Sequence, residues 1–232
     1  MGKKLYLIII ISFVSIVLNA QERKQIEIEY APYMNFEENK PGATILTRDN
    51  INQVHVKHEG IELWCNEAIY YGEDDFIEAY GNVQVKQGDS INMTSKYVEY
   101  SGKTQLAYAS GDVVLIDPDS QLYTDILHFD RVKQQAYYNQ KGKVVRDTSG
   151  TITSTTGRYY VKSKKYQFVD EVKLVNPEYT IDTDRLDFYT ESGYAFLYGP
   201  TTITSETSVI YCERGFYNTN NDTGYFLKKS KN

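Results

Sequence analysis

The sequence is poor in the residues that carry most enzyme and metal chemistry. Its 232 residues include three His, two Cys and five Pro. So few His and Cys leave little material for a metal site, and no Walker loop, G-x-S-x-G elbow or dinucleotide fingerprint is present. The net charge is −6 and no basic stripe runs along the chain, which argues against nucleic-acid binding. We expect a non-enzymatic protein without a catalytic residue, a metal site or a cofactor.

Helical periodicity is also missing after the first twenty residues. There the apolar residues recur with a period of two, as they do in half-buried strands. Tyr is abundant, at 22 residues, and Val, Ile and Thr recur throughout. These residue types favour a pleated, half-buried surface. The composition and the period together predict an all-β protein.

The first twenty residues form a separate segment. Lys3 and Lys4 precede an apolar run at 5–18, and Ala20 is a small residue at a suitable cleavage position. This order is typical of a secretory signal peptide. The run is shorter than the roughly 20 residues that a membrane-spanning helix needs, and a retained anchor remains an alternative. Loss of the two lysines changes the net charge from −6 to −8.

An eight-residue unit is repeated six times along the rest of the chain. Its copies are LWCNEAIY at 63, MTSKYVEY at 93, LYTDILHF at 122, ITSTTGRY at 152, IDTDRLDF at 181 and IYCERGFY at 210. They start 30, 29, 30, 29 and 29 residues apart. The first position is Leu, Ile or Met, the third is Cys, Ser or Thr, and the eighth is Tyr or Phe. A fixed period of this length indicates a stack of similar structural units.

The two cysteines occupy the same position of this unit, five repeats apart. If each repeat advances at least one strand spacing, Cys65 and Cys212 lie on the order of 24 Å apart. A disulfide needs Cα atoms within about 7 Å. We therefore predict two free, mostly buried thiols and no disulfide.

The side-chain parity changes inside the unit. Positions 1 and 3 share one face, as do positions 6 and 8, which a continuous strand cannot provide without a bulge or a corner. A Val-rich strand such as 82–85 precedes each unit and often follows an aromatic residue and a Gly, as at Tyr80-Gly81. We interpret each repeat as an aromatic strand, a turn, an aliphatic strand, a second turn and the unit, with a corner at positions 4 and 5. Two sheets joined by such corners make an open sandwich or jelly roll of stacked repeats.

The stretch FIEAYGNVQVKQGDSINMTSKYVEY (76–100) and its later copies resemble the OstA-like, or LptA-like, family of periplasmic lipopolysaccharide-transport proteins. The resemblance covers roughly residues 45–227, between a signal peptide at 1–20 with a lead-in segment at 21–44 and a tail at 228–232. The chain departs from the pattern where Gly157 and Gly215 replace the aliphatic residues seen at Val98 and Leu186.

This resemblance implies a repeat-built, open, two-sheet antiparallel β jelly roll in the periplasm of a Gram-negative bacterium. It implies that the acyl chains of lipid A lie in a groove, and that related jelly-roll domains stack end to end between the inner and outer membranes. An ATP-driven inner-membrane complex would then supply the directional push. Six similar repeats would give a sliding lipid a similar binding free energy at successive positions.

The residues expected to face such a groove are apolar and alternate along the strands. An ordinary sandwich core explains them equally well, and both interpretations stay open at this point. The candidates are Val83, Val85, Ile91, Met93, Tyr100, Val113, Leu115, Leu122, Phe129, Val144, Ile152, Tyr159, Val172, Leu174, Ile181, Phe188 and Ile203.

Several polar residues have simple structural explanations. His55 and His58 are three apart and should face opposite sides of a strand, which disfavours a shared metal. Glu73, Asp74 and Asp75 fit a solvated turn better than a hydrolase site. Six basic residues are candidates for contact with lipid phosphates at the rim, although solvated positions explain them more simply: Lys86, Lys96, Arg131, Lys133, Arg146 and Arg158.

Neither end of the repeat stack carries an evident capping sequence. Unpaired edge strands can pair with another chain, so we predict head-to-tail association with copies of this chain or with related transport domains. Two alternatives from other classes remain: a polysaccharide-active β-helix enzyme, and an adhesive or structural β-repeat protein.

Overall fold

The computed structural model describes residues 24–36, 40–88, 91–118, 120–146, 150–221 and 223–227. The predicted signal peptide at 1–20 and tail at 228–232 lie outside them. The described residues form nineteen strands of one hydrogen-bonded network and no helix. In chain order the strands are β1 (Glu27–Tyr30), β2 (Tyr33–Phe36), β3 (Ala43–Thr47), β4 (Val54–His58), β5 (Ile61–Cys65), β6 (Glu67–Tyr71), β7 (Phe76–Gln87), β8 (Ile91–Ser101), β9 (Leu106–Asp117), β10 (Ser120–Asp130), β11 (Gln135–Tyr138), β12 (Gly142–Arg146), β13 (Gly150–Ser154), β14 (Thr156–Tyr160), β15 (Lys165–Val175), β16 (Tyr179–Tyr189), β17 (Tyr194–Ser205), β18 (Val209–Asn218) and β19 (Thr223–Leu227).

The strands build two facing antiparallel walls joined along a line of corners. The first wall runs from β2 and β3 through β6 and the first half of β7 to β19. The second wall runs from β1 and β4 through β5 and the second half of β7 to the first half of β18. Most of the long strands contribute one half to each wall. The all-β, two-sheet antiparallel fold expected from the sequence is confirmed.

The corners fall where the parity change predicts them. The register shifts at position 4 of the unit, for example between Thr94 and Tyr97 and between Asp182 and Arg185. Where position 3 is Ser or Thr, it stabilises the bend, because its hydroxyl donates to the carbonyl two residues on. The distances are 3.1 Å from Ser95 Oγ to Tyr97 O and 2.8 Å from Ser154 Oγ to Thr156 O. A Ser-sized side chain at position 3 is therefore part of the corner itself.

The glycines before the aliphatic strands also lie at corners rather than at chain reversals, which corrects the turn expected there. Gly81 has a φ of 70° and is followed by Asn82 at 46°, and both lie inside β7. A Cβ on Gly81 would lie 2.9 Å from Nδ2 of Asn66, the position-4 residue between β5 and β6. Glycine suits this position because a left-handed backbone disfavours a side chain and the close approach of Asn66 leaves no space for one.

Each repeat adds two strands to each wall, so the stack is longer than one strand per repeat would make it. Cys65 and Cys212 lie in the same column, and ten strand spacings of the described second wall separate them. At about 4.8 Å per spacing this is roughly 48 Å along the stack. Both cysteines are buried and unpaired.

The described part of the segment predicted as a lead-in belongs to the sheet. β1 pairs with β4 and β2 pairs with β3, so both walls begin before residue 45. The backbone N–H of Ile26 donates to Oδ1 of Asp75 at 2.8 Å, which ties this segment to a first-wall turn. Asp75 is buried, and its carboxylate therefore holds the chain in place rather than forming a solvated cluster with Glu73 and Asp74.

Candidate functional site: an apolar cavity between the walls

A cavity of about 590 Å³ lies between the two walls in the first part of the stack. Its volume is within the roughly 300–1,000 Å³ range of ligand pockets. Both walls supply apolar side chains to it. The apolar lining is Ile26, Val56, Ile61, Leu63, Val85, Ile91, Met93 and Leu115 with Ile77, Val98, Tyr100, Ala107, Ala109, Leu127, Phe129, Ala136, Tyr159, Val161 and Tyr166.

The structure places the seventeen groove candidates in three kinds of surroundings. Seven line the cavity: Val85, Ile91, Met93, Tyr100, Leu115, Phe129 and Tyr159. Nine are buried in the packed core: Val83, Val113, Leu122, Val144, Ile152, Val172, Leu174, Ile181 and Phe188. Ile203 is partly buried and packs against that core. Facing inward is therefore not sufficient to reach the cavity.

Side-chain size in two columns of the first wall decides where the cavity is open. A column is an inward-facing strand position that recurs in each repeat. In β9 these columns hold Ala107 and Ala109, and in β15, two repeats later, they hold Tyr166 and Phe168. Both alanines line the cavity, whereas Phe168 is 1% exposed in the packed core. The repeats are alike in backbone and differ in the space between the walls. The lining therefore does not offer a lipid the similar surroundings at successive repeats that a similar binding free energy would require.

Tyr166 also links the two walls at the mouth, the open side opposite the corners. Its hydroxyl donates to Oδ2 of Asp117 at 2.9 Å and lies 3.0 Å from Oγ of Ser120. Asp117 and Ser120 flank a second-wall turn, so this contact crosses the cavity mouth. Burial and the nearby Asp117 carboxylate raise the pKa of Tyr166, which keeps its hydroxyl protonated as a donor.

A second set of contacts crosses the mouth nearer to the start of the stack. The Tyr100 hydroxyl lies 2.6 Å from Nδ1 of His58, and Nε2 of His58 lies 2.9 Å from the carbonyl of Lys24. The carbonyl can only accept, so neutral His58 carries its proton on Nε2 and accepts from Tyr100. Beside it, Nη1 of Arg131 donates to Oε2 of Glu59 at 2.7 Å. These contacts hold the walls together at the rim.

The six basic candidates for phosphate contact differ in their surroundings. Lys96 pairs with Asp112, Arg131 with Glu59, and Lys133 with Asp130. Lys86 lies over the Trp64 ring, and Arg158 over the Tyr137 ring. Arg146 alone of these six lines the cavity.

The two histidines of the H-x-x-H pattern face opposite sides of β4, as predicted. His55 stacks on Trp64 with ring centres 4.6 Å apart, whereas His58 is buried between the walls. Within the described ranges, no group of three or more His, Cys, Asp or Glu residues is arranged to hold a metal ion. None of the described segments is a helix long and apolar enough to cross a membrane.

A family model described as OstA-like protein matches residues 23–184 of this chain. The chain belongs to the OstA-like protein family. No curated protein matches it. Among solved structures, it is similar to LptH of Pseudomonas aeruginosa, described as the LptA-homologous periplasmic component of the conserved lipopolysaccharide transport device. That similarity has 16% identity and a TM-score of 0.39, and it covers 43% of this chain and 76% of that one.

Sequence reasoning missed much of the first-wall lining of this OstA-like cavity. Ile77, Ala107, Ala109, Leu127 and Ala136 were not among the groove candidates, yet all line it. The alternation of small apolar residues in stretches such as LAYAS at 106–110 is the signal that points to them. The links across the mouth from Tyr166 and His58 left no comparable pattern, because their partners lie 34 to 49 residues away in sequence.

Proposed function

We propose that the OstA-like chain is a non-catalytic carrier that shields the acyl chains of lipopolysaccharide between its walls during outer-membrane assembly. The single observation that carries this proposal is the apolar cavity of about 590 Å³ between the two walls. Burial of a chain in such a space is favourable by about 0.8 kcal/mol per CH₂, or roughly 10 kcal/mol for fourteen carbons. The family membership and the predicted signal peptide support a place in the periplasm.

The polar part of the lipid would remain at the mouth. The chain is acidic overall, so its general field does not attract phosphorylated headgroups. The lining itself is apolar apart from a few polar groups near the turns, such as Gln87, Asp117 and Thr190. An amphiphile with its tails inside and its headgroup in water matches this distribution.

Open sheet edges support the association with further transport domains. Within the described residues, β2 pairs only with β3, and β19 only with β18. Apolar side chains are exposed at both ends of the stack, including Phe36 at 80% and Tyr211 at 64%. We infer that strands of related domains, or of a second copy, add to these edges. Light scattering should show concentration-dependent association that Tyr211→Lys weakens, and a strict monomer at high concentration would contradict this inference.

Photo-crosslinking tests the carrier function directly. A photoreactive residue at Leu115, which lines the cavity, should crosslink to lipopolysaccharide when the protein is made in cells. The matched control is Val114, the adjacent residue, which points to the other side of the same strand. Met93 and Phe129 provide two further inward positions. Failure to crosslink at all inward positions, or equal yields at Leu115 and Val114, would remove the basis of the proposal.

A further inference from the structure

Among the described residues that line the cavity, Arg146 has two guanidinium nitrogens with no hydrogen-bond partner. Arg146 is the last residue of β12, at the mouth of the second wall. Its Nε and Nη1 atoms are buried and have no hydrogen-bond partner among the described residues. Buried donors without acceptors are rare in folded proteins, because the water they lose is not replaced. Such a group calls for a specific explanation.

The other charged groups in the lining are satisfied. Lys57 pairs with Glu29 at 3.4 Å and Lys164 with Glu191 at 2.8 Å. Asp117 accepts from the Tyr166 hydroxyl. Arg146 differs from them in that its contact among the described residues is an aromatic ring, with its guanidinium carbon 4.8 Å from the centre of the Phe188 ring on the opposite wall.

The contact with the Phe188 ring does not use the N–H donors of the Arg146 guanidinium. A guanidinium that stacks on an aromatic ring uses its face, and its N–H donors lie in the plane around the edge. Nε and Nη1 of Arg146 are such edge donors, and each can donate to an oxygen of a phosphate or carboxylate. Arg146 thus belongs to the second wall, and Phe188 of the first wall orients its guanidinium. Its Nε and Nη1 donors have no acceptor among the described residues.

The position of Arg146 determines where an acceptor bound to it would lie relative to the apolar lining of the cavity. Arg146 lies at the far end of the second-wall lining, since the described lining residues that follow it in the chain belong to first-wall strands and turns. A lipid tail that runs from this point towards Ile61 and Val56 would stay in contact with apolar side chains along its length. An oxyanion attached to that tail would then meet the guanidinium.

We propose that Arg146 binds the oxyanion headgroup, a phosphate in particular, of the lipid whose acyl chain occupies the cavity. This inference rests on the proposed carrier function and adds a selection rule to it. The site favours amphiphiles that carry an anionic oxygen cluster next to the chain over neutral lipids of the same length. The net negative charge of the protein makes such a local cation necessary, because the protein as a whole repels an anion.

The test compares two probes that differ only in headgroup. Dodecyl phosphate and 1-O-dodecylglycerol, each below its micelle concentration, displace a neutral polarity-sensitive dye from the purified full-length protein. We expect the phosphate to bind about tenfold more tightly than the neutral lipid, as a charge-assisted hydrogen-bond pair would give. In Arg146→Gln the two probes should bind equally, and Arg146→Lys should keep part of the difference. The matched control is Arg158→Gln, which removes another ring-stacked guanidinium, one that does not line the cavity and bonds to Gln135.

Each outcome decides between the two proposals. Equal binding of both probes by the unmodified protein overturns the role of Arg146 and leaves the carrier function intact. Binding of neither lipid, together with a rise in melting temperature by inorganic phosphate that Arg146→Gln abolishes, assigns the site to a free phosphate and contradicts the carrier function. Absence of any binding overturns both. A melting curve for Arg146→Gln that matches or exceeds that of the unmodified protein establishes that the variant is folded.

Discussion

Ala107 and Tyr166 occupy equivalent positions two repeats apart, each between two aromatic residues that end a repeat unit. Ala107 is paired with Tyr100 and Phe129 on its neighbouring strands, and Tyr166 with Tyr159 and Phe188. The cavity is open over the alanine, and the tyrosine spans the mouth beyond it. One column of side chains therefore sets how far an apolar ligand can enter the stack.

Filling this column should close the cavity without unfolding the protein. We expect Ala107→Phe to weaken binding of a twelve-carbon lipid at least about tenfold, because the ring takes space that the chain would use, while stability changes by less than about 1.5 kcal/mol. Dye displacement and thermal melts measure the two effects. The control is Leu106→Phe at the adjacent position, which is 49% exposed. Unchanged binding by Ala107→Phe would show that ligand does not enter here.

Gly157 makes room for Tyr138 on the neighbouring strand. A Cβ at Gly157 would lie 2.3 Å from ring atoms of Tyr138, with which it is paired in register. We expect Gly157→Val to destabilise the protein by about 1–3 kcal/mol through overpacking. Because Val98 and Leu186 fill this position in other repeats, adding Tyr138→Ala should recover part of the space. The double variant should thus be more stable than the sum of the single effects by about 1–2 kcal/mol. Strict additivity in denaturant unfolding would argue against this pairing.

Asp187 makes the stability of the protein dependent on acid pH. Burial by itself would raise the pKa of this carboxyl group, but hydrogen bonds from Arg185 and Gln167 and the charge of Lys165 hold it below its ordinary value. A depressed pKa contributes stability above the unfolded pKa of about 3.9, and that contribution is lost as the pH falls through the folded pKa.

We therefore expect Asp187→Asn to lower the free energy of unfolding by roughly 2 kcal/mol at pH 7 and by much less near pH 3. Urea unfolding at both pH values measures the difference. Asp182→Asn is a suitable control, since Asp182 pairs with Lys173 at the surface, with about half of each side chain exposed. An equal loss of stability at both pH values would contradict the role given to the Asp187 charge.

Cys65 should be almost unreactive in the folded protein. It is fully buried, and this burial raises the pKa of its thiol to about 12, so that little reactive thiolate forms near pH 8. Burial also raises the pKa of Cys212, in the last repeat. We expect a thiol reagent to label both cysteines fully in denaturant, and Cys65 only at the rate of unfolding under native conditions. Rapid labelling of Cys65 in the folded state, located by peptide mass, would refute this assignment.

The repeats and the corners could be predicted because their signals are local. Alternation of apolar residues fixes which side chains share a face, and the parity change in units such as MTSKYVEY fixes where that face changes. Asn66 and Gly81 illustrate the limit of the same reasoning. Their close approach makes a corner out of what the sequence alone suggests to be a turn.

The location of the cavity was not predictable from the same signals. Val85 and Val144 are both inward-facing valines of aliphatic strands, yet the first lines the cavity and the second is buried in packed core. The difference comes from the opposite wall, where β9 holds Ala107 and Ala109 and β15 holds Tyr166 and Phe168. Periodicity along a strand carries no information about the size of the side chain that it will face.

The sequence by itself determined the all-β class, the stacked repeats, the bend within each unit and the family. The tertiary structure alone decided where the walls stand apart, which residues link them across the mouth, and that Arg146 reaches the cavity with Nε and Nη1 unpartnered among the described residues. The physical reason is the distance along the chain over which each interaction acts. Strand parity and corner hydrogen bonds act between near neighbours in the chain, whereas the space between two walls depends on side chains that meet only after folding.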